Sequence, residues 1–160
     1  MISFDSNVLV YAADEMGGER HARAAELVER AMRLQNCIQT LQSFCEFFNV
    51  VTKKAGIEPR AAAEFVETWS AAMGLENATL ADLTIGMRGT REHGLSFWDA
   101  LLWATVRRVG VELLISEDFQ DGRSIEGVRI LNPFRRTEYR TDRGSPAALS
   151  RLFCAPGCCG

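Results

Sequence analysis

The sequence predicts an α/β protein with a central, mainly parallel sheet and helices on both of its faces. Short apolar segments alternate along the chain with longer segments in which apolar residues recur every three or four positions. Such alternation of strand and helix patterns is typical of a parallel sheet, because parallel neighbours require a crossover connection. The 160 residues, of which 47% are hydrophobic, suffice for one domain with a substantial core.

Glycine and proline divide the chain into these elements. Pro59 stands at the start of one predicted helix, where its fixed backbone is tolerated, and Gly56, Gly94 and Gly110 follow the ends of three others. The predicted helices are Ser6–Ala13, 20–34, 42–54, 59–73, Leu80–His93 and 97–109. The predicted strands are Ile2–Phe4, 37–40, 75–79, 111–116 and Val128–Leu131.

The charge distribution limits the possible partners. The net charge is −3, but residues 135–160 hold five arginines against two acids, so the rest of the chain carries −6. An acidic body argues against loose electrostatic binding of nucleic acid, although bound metal ions would reverse the field at an acidic site. We find neither a run of roughly 18 apolar residues nor a secretory signal, and therefore expect a cytoplasmic protein with reduced cysteines and no membrane partner.

Four acidic residues stand out because each lies at the edge of an apolar segment. They are Asp5, Glu46, Asp99 and Asp118. Carboxylates are rarely buried unless they are paired, hydrogen-bonded or bound to a metal. Four of them gathered by the fold would repel one another unless a divalent cation neutralised them. Asp5 and Asp118 directly follow predicted strands, where parallel sheets place their sites, so the pattern predicts a metal-dependent enzyme.

The first two acids also have structural interpretations. Asp5 or Ser6 can cap the N-terminus of the helix that follows, since both side chains accept hydrogen bonds from free backbone N–H groups. Glu46 lies on a polar stripe with Gln42 and Asn49, opposite the aromatic face of the same helix, and this periodicity favours a solvated position.

The other two acids are ambiguous as well. Asp99 follows Ser96 by three residues, which resembles a capping box, yet the helix beyond it is apolar in every direction and is therefore predicted to be buried. Asp118 and Asp121 can both be turn residues, and Asp121 precedes a glycine.

Other reactive residue types are predicted to be structural. His21 and His93 are isolated, and no cysteine or histidine set has zinc-ligand spacing. Cys37 and Cys45 lie in apolar surroundings and are predicted to be in the core. The helical spacing of the aromatic residues favours core positions over a nucleotide-stacking surface for Trp98, Trp103, Phe44, Phe47 and Phe48.

Taken together, the four acidic contexts resemble the PIN-domain family, and within it the VapC-like toxin ribonucleases of bacterial type II toxin–antitoxin modules. The resemblance runs from residue 1 to about 134. It is carried by four segments and a closing strand, namely Phe4-Asp-Ser-Asn-Val-Leu-Val-Tyr-Ala, the Glu46 helix, Leu95-Ser-Phe-Trp-Asp-Ala, Leu114-Ile-Ser-Glu-Asp and Val128-Arg-Ile-Leu-Asn-Pro-Phe. The first segment has Ser6 where the family more often has threonine.

The resemblance implies a three-layer α/β/α fold and a metal-dependent endoribonuclease. Carboxylate oxygens suit Mg²⁺ or Mn²⁺, and a metal-bound water can attack a phosphodiester. Asp5, Asp99 and Asp118 are then metal ligands, and Glu46 is a ligand or orients the attacking water. The nearby hydrogen-bonding partners are predicted to be Asn7, Ser116 and Asp121. By its position at the strand end we prefer Asp118 over Asp121 as the fourth acid.

The resemblance also implies partners. These are an RNA substrate (often tRNA or rRNA), a second copy of the chain, and a small antitoxin, which we expect between the helices at 20–34, 42–54 and 59–73. Basic residues available for RNA are Arg20, Arg23, Lys53, Lys54, Arg107 and Arg108. The alternatives are a stand-alone RNA-processing PIN nuclease, an inactive PIN-like interaction module, and an Asp-dependent phosphohydrolase of another α/β fold. The last requires an aspartate two residues after Asp5, where this chain has Asn7.

The segment at 135–160 is predicted to be separate from the catalytic domain at 1–134. It is rich in arginine, threonine, serine and glycine, and such a composition buries little surface. We expect a disordered basic extension, with an RNA-gripping arm as the alternative. Removing it should leave the fold and the chemistry intact.

Overall fold

A computed structural model describes residues 1–135 of the chain. None of the helices in that range is long and apolar enough to span a membrane. The predicted basic extension lies outside the described residues, apart from Arg135.

The described residues form an α/β fold in which every predicted helix and strand is present. The helices are α1 (Ser6–Ala13), α2 (Glu19–Leu34), α3 (Leu41–Lys53), α4 (Pro59–Ala72), α5 (Leu80–His93) and α6 (Phe97–Arg108). The strands are β1 (Ile2–Phe4), β2 (Ile38–Thr40), β3 (Gly74–Glu76), β4 (Leu113–Ile115), β5 (Ser124–Ile125) and β6 (Val128–Leu131). The sequence analysis missed β5 and a short 3₁₀ helix at Glu15–Gly17.

The sheet is mainly parallel, as predicted. Its four-stranded part has the order β1-β4-β6-β5, in which only the β5–β6 pair is antiparallel. Strands β2 and β3 form a parallel pair of their own, and a single bridge between Ile2 and Cys37 joins this pair to the free edge of β1. The whole assembly therefore runs from β3 at one side to β5 at the other.

A glutamine side chain replaces the missing ladder between β1 and β2. Gln39 is fully buried, and its amide accepts a hydrogen bond from the Phe4 N–H (3.2 Å) and donates one to the Phe4 carbonyl oxygen (2.6 Å). Both backbone groups of Phe4 thus keep partners inside the core, where unpaired ones would be costly. Phe4 directly precedes Asp5, so this contact also holds the backbone of Asp5 in position.

Two clusters of buried side chains lie on opposite faces of the sheet. Alternate residues of the central strand divide between them, because Leu113 and Ile115 belong to one cluster and Leu114 to the other. The first cluster includes buried residues of α1, α2, α3 and α4, and the second includes those of α6. The arrangement is the three-layer α/β/α architecture that the resemblance implied.

Three residues predicted to be in the core are exposed. Trp98 has 60% of its surface accessible, Phe48 has 39%, and Cys45 is also exposed. Trp103, Phe44, Phe47 and Cys37 are buried, as predicted. The reasons differ between the two helices. Cys45 and Phe48 face away from the sheet on α3. Trp98 lies in the first turn of α6, before the part of that helix that is buried against the rest of the protein.

Candidate active site

Asp5 occupies the carboxyl end of β1 and is almost completely buried. Its Oδ1 accepts a hydrogen bond from the Ser6 N–H (2.6 Å), so the predicted role as N-cap of α1 is confirmed. Its Oδ2 accepts a hydrogen bond from the Ser116 hydroxyl (2.6 Å) at the end of the adjacent strand β4. The hydrogen bonds from the Ser6 N–H and the Ser116 hydroxyl together hold the Asp5 carboxylate in one orientation.

The environment of Asp5 opposes its negative charge. Burial is the main cause that raises its pKa from 3.8 to about 6, and the charges of Asp118 and Asp99 raise it further. The hydrogen bonds from Ser116 and Ser6 work in the opposite direction, because they stabilise the ionised form. Three of the four predicted acids therefore lie close enough to act on one another electrostatically.

Glu46 is joined to Asp5 through a serine. The Ser6 hydroxyl donates to Glu46 Oε2 (2.9 Å) and also lies 3.3 Å from Asp5 Oδ1. Gln42, one turn earlier on α3, donates from its amide to Glu46 Oε1 (2.9 Å). The polar stripe of α3 thus faces α1 at this point, and Glu46 is half-buried there, whereas Asn49 of the same stripe is exposed.

Asp118 follows β4 and belongs to the same group of charges. Burial raises its pKa, and the carboxylates of Asp99, Glu117 and Glu46 raise it further, while a hydrogen bond from the Asn7 amide (2.6 Å) lowers it. The Ser116 hydroxyl accepts a hydrogen bond from the Asp118 N–H (3.1 Å), so one serine contacts two of the acids. The predicted partners Asn7 and Ser116 are therefore both in place.

Asp121 has a different role from Asp118. Its Oδ1 accepts a hydrogen bond from the backbone N–H of Asn132 (2.8 Å), which ties the loop after β4 to the residue that follows β6. It is not among the main groups that shift the pKa of Asp5 or Asp118. Asp121 is thus bound to the backbone of a neighbouring segment, and Asp118 is the acid that faces the other three.

Asp99 lies in the first turn of α6, where the predicted capping contact is present. The Ser96 hydroxyl accepts from the Asp99 N–H (3.3 Å) and donates to Asp99 Oδ2 (2.7 Å). This places the carboxylate near the helix N-terminus, which favours a negative charge. Its charge acts on both Asp5 and Asp118.

The donor set fits a hard divalent cation. Four carboxylates offer only oxygen ligands, and the largest influences on the pKa of Asp5 include two other acids and no cation. The group is open, however, because no three of these acids bring a ligand oxygen each within 4.8 Å of one another. Such spacing leaves room for the water molecules that Mg²⁺ ordinarily retains.

A tighter trio of possible ligands lies elsewhere in residues 1–135. It consists of Glu92, His93 and Glu126, whose ligand atoms lie within 4.8 Å of one another. Glu126 is already neutralised there by ion pairs with Arg88 (2.9 Å) and Arg107 (2.8 Å). The trio is therefore a surface ion-pair network and not a second carboxylate site.

Most of the basic residues considered for RNA contact acids of the same chain. Arg20 bonds to Glu117 (2.8 Å) and stacks on Tyr11 and Phe134, and Arg108 binds Asp82 (2.9 Å). Arg107 pairs with Glu126, and Arg23 pairs with Glu26 (3.0 Å). Lys53 and Lys54 are exposed at the end of α3.

Comparison with solved structures finds the same fold in bacterial toxins. VapC20 of Mycobacterium tuberculosis, described as a toxin that cleaves the sarcin–ricin loop, is 19% identical with a TM-score of 0.58 over 71% of this chain and 87% of its own. A toxin–antitoxin complex from Klebsiella pneumoniae is also 19% identical, with a TM-score of 0.59 over 84% and 98%. VapBC2 from Rickettsia felis, bound to a promoter DNA fragment, is 11% identical, with a TM-score of 0.59 over 81% and 97%.

Sequence comparison gives the family assignment. No curated protein matches the chain. The family model of the PIN domain matches residues 2–120, which contain all four acids and the strands β1 to β4 that carry or flank them. The match covers most of the chain and agrees with the fold, so the protein belongs to the PIN domain family.

Proposed function

We propose that the protein is a metal-dependent endoribonuclease and the toxin of a type II toxin–antitoxin module. One observation carries this proposal: a nearly buried Asp5, with a pKa of about 6, faces the charges of Asp118 and Asp99 at the carboxyl edge of a parallel sheet. Such a cluster is unfavourable by itself and becomes favourable once a divalent cation shares the charges. Hydrolysis of RNA is the activity expected of a PIN nuclease with this set of acids.

The chain's own residues supply the orientation that hydrolysis requires. Asp5, Asp99 and Asp118 would hold Mg²⁺ or Mn²⁺, whose chemistry is to lower the pKa of bound water and to stabilise charge on phosphate oxygens. Ser116, Ser96 and Asn7 fix these three carboxylates by hydrogen bonds. Asp99 and Asp118 each keep a second oxygen for the ion, and Asp5, both of whose oxygens accept hydrogen bonds, keeps further lone pairs for it.

Glu46 is proposed to orient the attacking water. Each of its oxygens already accepts one hydrogen bond, Oε2 from Ser6 and Oε1 from Gln42, so the carboxylate cannot rotate freely. Each oxygen keeps a further lone pair that can accept a proton of a water molecule. A fixed acceptor beside the ligands is the geometry needed to align an attacking water.

Metal-dependent cleavage of RNA is the direct test. The purified protein should cut a structured tRNA or rRNA fragment in Mg²⁺ or Mn²⁺, and EDTA should stop the reaction. Ca²⁺ should support it poorly, because this ion is larger and less strict in its geometry. Cleavage by the wild-type protein that persists in EDTA and is lost in an Asp5→Asn variant would refute the metal-dependent mechanism.

An apolar groove between α2 and α4 is proposed to bind the antitoxin. It encloses about 460 Å³ and is lined by Val28, Met32, Phe65, Trp69 and Ala12 of α1, with Glu29 and Glu64 at its polar rim. No residue of α3 is among those that line it, so the expected participation of that helix stays a prediction. We infer a partner helix with an apolar face and basic flanks, one of whose side chains could reach the carboxylates.

Co-expression distinguishes the toxin from a stand-alone RNA-processing nuclease. If the protein is a toxin, its expression should arrest growth, and the product of an adjacent small gene should restore it. The same growth assay with the Asp118→Asn variant should show no arrest. Active enzyme without growth arrest, or arrest that no neighbouring gene relieves, would favour the stand-alone nuclease. Light scattering of the purified protein tests the proposed homodimer.

A further inference from the structure

A cavity beside the site is separate from the antitoxin groove. It has a volume of about 620 Å³ and lies between α3, the segment before α5 and the first turns of α6. Its lining includes Leu41, Gln42, Glu46, Asn49, Asn77 and Trp98. This volume is within the range of roughly 300–1,000 Å³ that is typical of small-molecule sites. We call it the Trp98 pocket.

Trp98 is the exposed tryptophan among the three in the chain. Its surface is 60% accessible, against 4% for Trp69 and none for Trp103. Leu41, which also lines the pocket, is 45% accessible, and contiguous exposed apolar surface rimmed by polar residues often marks a binding site. Phe97 contacts it edge-on, with ring centroids 5.1 Å apart, which limits the positions that the indole can take.

The pocket is continuous with the carboxylate site. Glu46 is one of its walls and at the same time accepts hydrogen bonds from Ser6 and Gln42. The same Gln42 amide that donates to Glu46 also donates to the carbonyl oxygen of Trp98 (3.1 Å). Because one side chain joins both residues, a ligand stacked on Trp98 lies next to the proposed position of the attacking water.

The polar groups of the pocket suit a flat, uncharged ligand. Asn49 and Asn77 are exposed on its lining, and within residues 1–135 their side-chain amides have no hydrogen-bond partner in the protein. An amide presents both a donor and an acceptor, which is what the edge of a nucleobase requires. The negative Glu46 makes the pocket unsuitable for a phosphate, which would remain on the side of the metal ligands.

We propose that the Trp98 pocket binds one unpaired nucleobase of the RNA substrate, next to the phosphate that is cut. The base stacks on the indole of Trp98, and Asn49 and Asn77 contact its edge. This proposal rests on the proposed ribonuclease function and adds a subsite to it. It predicts that cleavage requires an extruded or single-stranded base beside the cut, and that the amides favour certain bases over others.

The binding test uses the fluorescence of Trp98 as its signal. In the full-length Asp5→Asn protein with Mg²⁺, a short oligoadenylate should quench the exposed tryptophan and should lose this effect in the additional variant Trp98→Phe. An abasic oligonucleotide of the same length is the matched control, because it keeps the phosphates but has no base to stack. Equal quenching by both oligonucleotides, or quenching that survives Trp98→Phe, would overturn the subsite.

The kinetic test compares two replacements of Trp98 that are both apolar. Since stacking on an aromatic ring contributes about 1–3 kcal/mol per base, Trp98→Leu should lower kcat/KM roughly 5- to 150-fold, chiefly through KM, and Trp98→Phe should recover most of the loss. Equal kinetics for Leu, Phe and wild type would refute the proposal. A change of oligomeric state in Trp98→Leu, measured by light scattering, would also refute it, because the surface around Trp98 would then be an interface between two copies of the chain. Failure of the wild-type enzyme to cut RNA would instead refute the proposed function.

Discussion

Gln39 bonds to both backbone groups of Phe4 and thereby acts as one rung of the sheet. The distances are 3.2 Å for the bond that it accepts and 2.6 Å for the bond that it donates. Strand β2 approaches β1 through a backbone bridge only at Ile2 and Cys37, so the side chain spans the gap that opens toward the site. The position of Asp5 depends on this contact, because Asp5 is the next residue along β1.

Replacing Gln39 by leucine should destabilise the protein by roughly 2–6 kcal/mol. The change leaves the N–H and the carbonyl of Phe4 buried without partners, and each such group costs about 1–3 kcal/mol. Urea unfolding followed by circular dichroism measures the difference. Gln120→Leu, at an exposed position, is the control and should change the free energy of unfolding by less than about 0.5 kcal/mol. Similar unfolding free energies for both variants would show that the hydrogen bonds between Gln39 and Phe4 contribute nothing to stability.

The choice between Asp118 and Asp121 can be tested with a pair of isosteric changes. Asp118→Asn removes a charge that acts on Asp5 and should reduce RNA cleavage at least about 100-fold. Asp121→Asn keeps the oxygen that accepts the Asn132 N–H and should retain most of the activity. The assay is initial-rate cleavage at saturating Mg²⁺. A reversed order of the two variants would make Asp121 the fourth acid.

Replacing Glu46 by glutamine should also reduce cleavage strongly while leaving the protein folded. Glutamine keeps an oxygen for one of the two hydrogen bonds, but its amide nitrogen would face the donor of Ser6 or Gln42. The loss should appear in kcat, because the carboxylate is proposed to align the attacking water. Full activity of Glu46→Gln would reduce the site to the three aspartates.

The metal-free protein should be more stable at pH 5 than at pH 7.5. Asp5 has a pKa of about 6 in the folded protein against an ordinary 3.8, so between these values the folded state binds more protons than the unfolded state. Stability therefore falls as the pH rises through this window, by up to about 3 kcal/mol in total and by about 1.4 kcal/mol between pH 5 and pH 7.5, since one pKa unit corresponds to about 1.4 kcal/mol. Thermal unfolding in EDTA measures it. Asp5→Asn should remove this part of the pH dependence, and an unchanged profile in that variant would contradict the assignment.

The ion pair between Asp82 and Arg108 should be worth far more than the surface pairs. Asp82 is fully buried, its two oxygens share the Nε–H of Arg108 (3.0 and 2.9 Å), and it completes the cap of α5 with Thr79. Asp82→Ala should cost about 2–4 kcal/mol in unfolding free energy, because it removes the cap of α5 and a charged hydrogen bond, while Arg108 stays partly solvated. Glu64→Ala breaks an exposed pair with Arg60 and should cost less than about 1 kcal/mol.

The sequence predicted the elements well because their ends carry local signals. The cap at Ser96, proline at the start of α4 and glycine after α5 each act within a few residues, and the structure contains all three. Strand β5 carried no such signal. It is two residues long and exists because a turn at Glu126 and Gly127, both with positive φ, folds it back on β6.

Exposure was harder to predict than periodicity. The apolar face of α3 was identified, but its angular width was not, so Cys45 and Phe48 were placed in the core although only Phe44 and Phe47 reach it. Trp98 was misplaced because α6 is covered only from its second turn onward. The grouping of the four acids came from the family resemblance, since residues up to 113 positions apart cannot be brought together by local rules.

The insertion of β4 between β1 and β6 makes assembly of the site a late event during synthesis. Asp5 emerges from the ribosome first, but its partner Ser116 follows 111 residues later, and at about 5–20 residues per second this delay lasts several seconds or more. Until then β1 has no neighbour on that side, and Asp5 and Asp118 cannot share an ion. Under the proposed function, a nascent chain stays inactive until β4 has been made, which gives the proposed antitoxin an interval in which to be present before the first completed molecule acts.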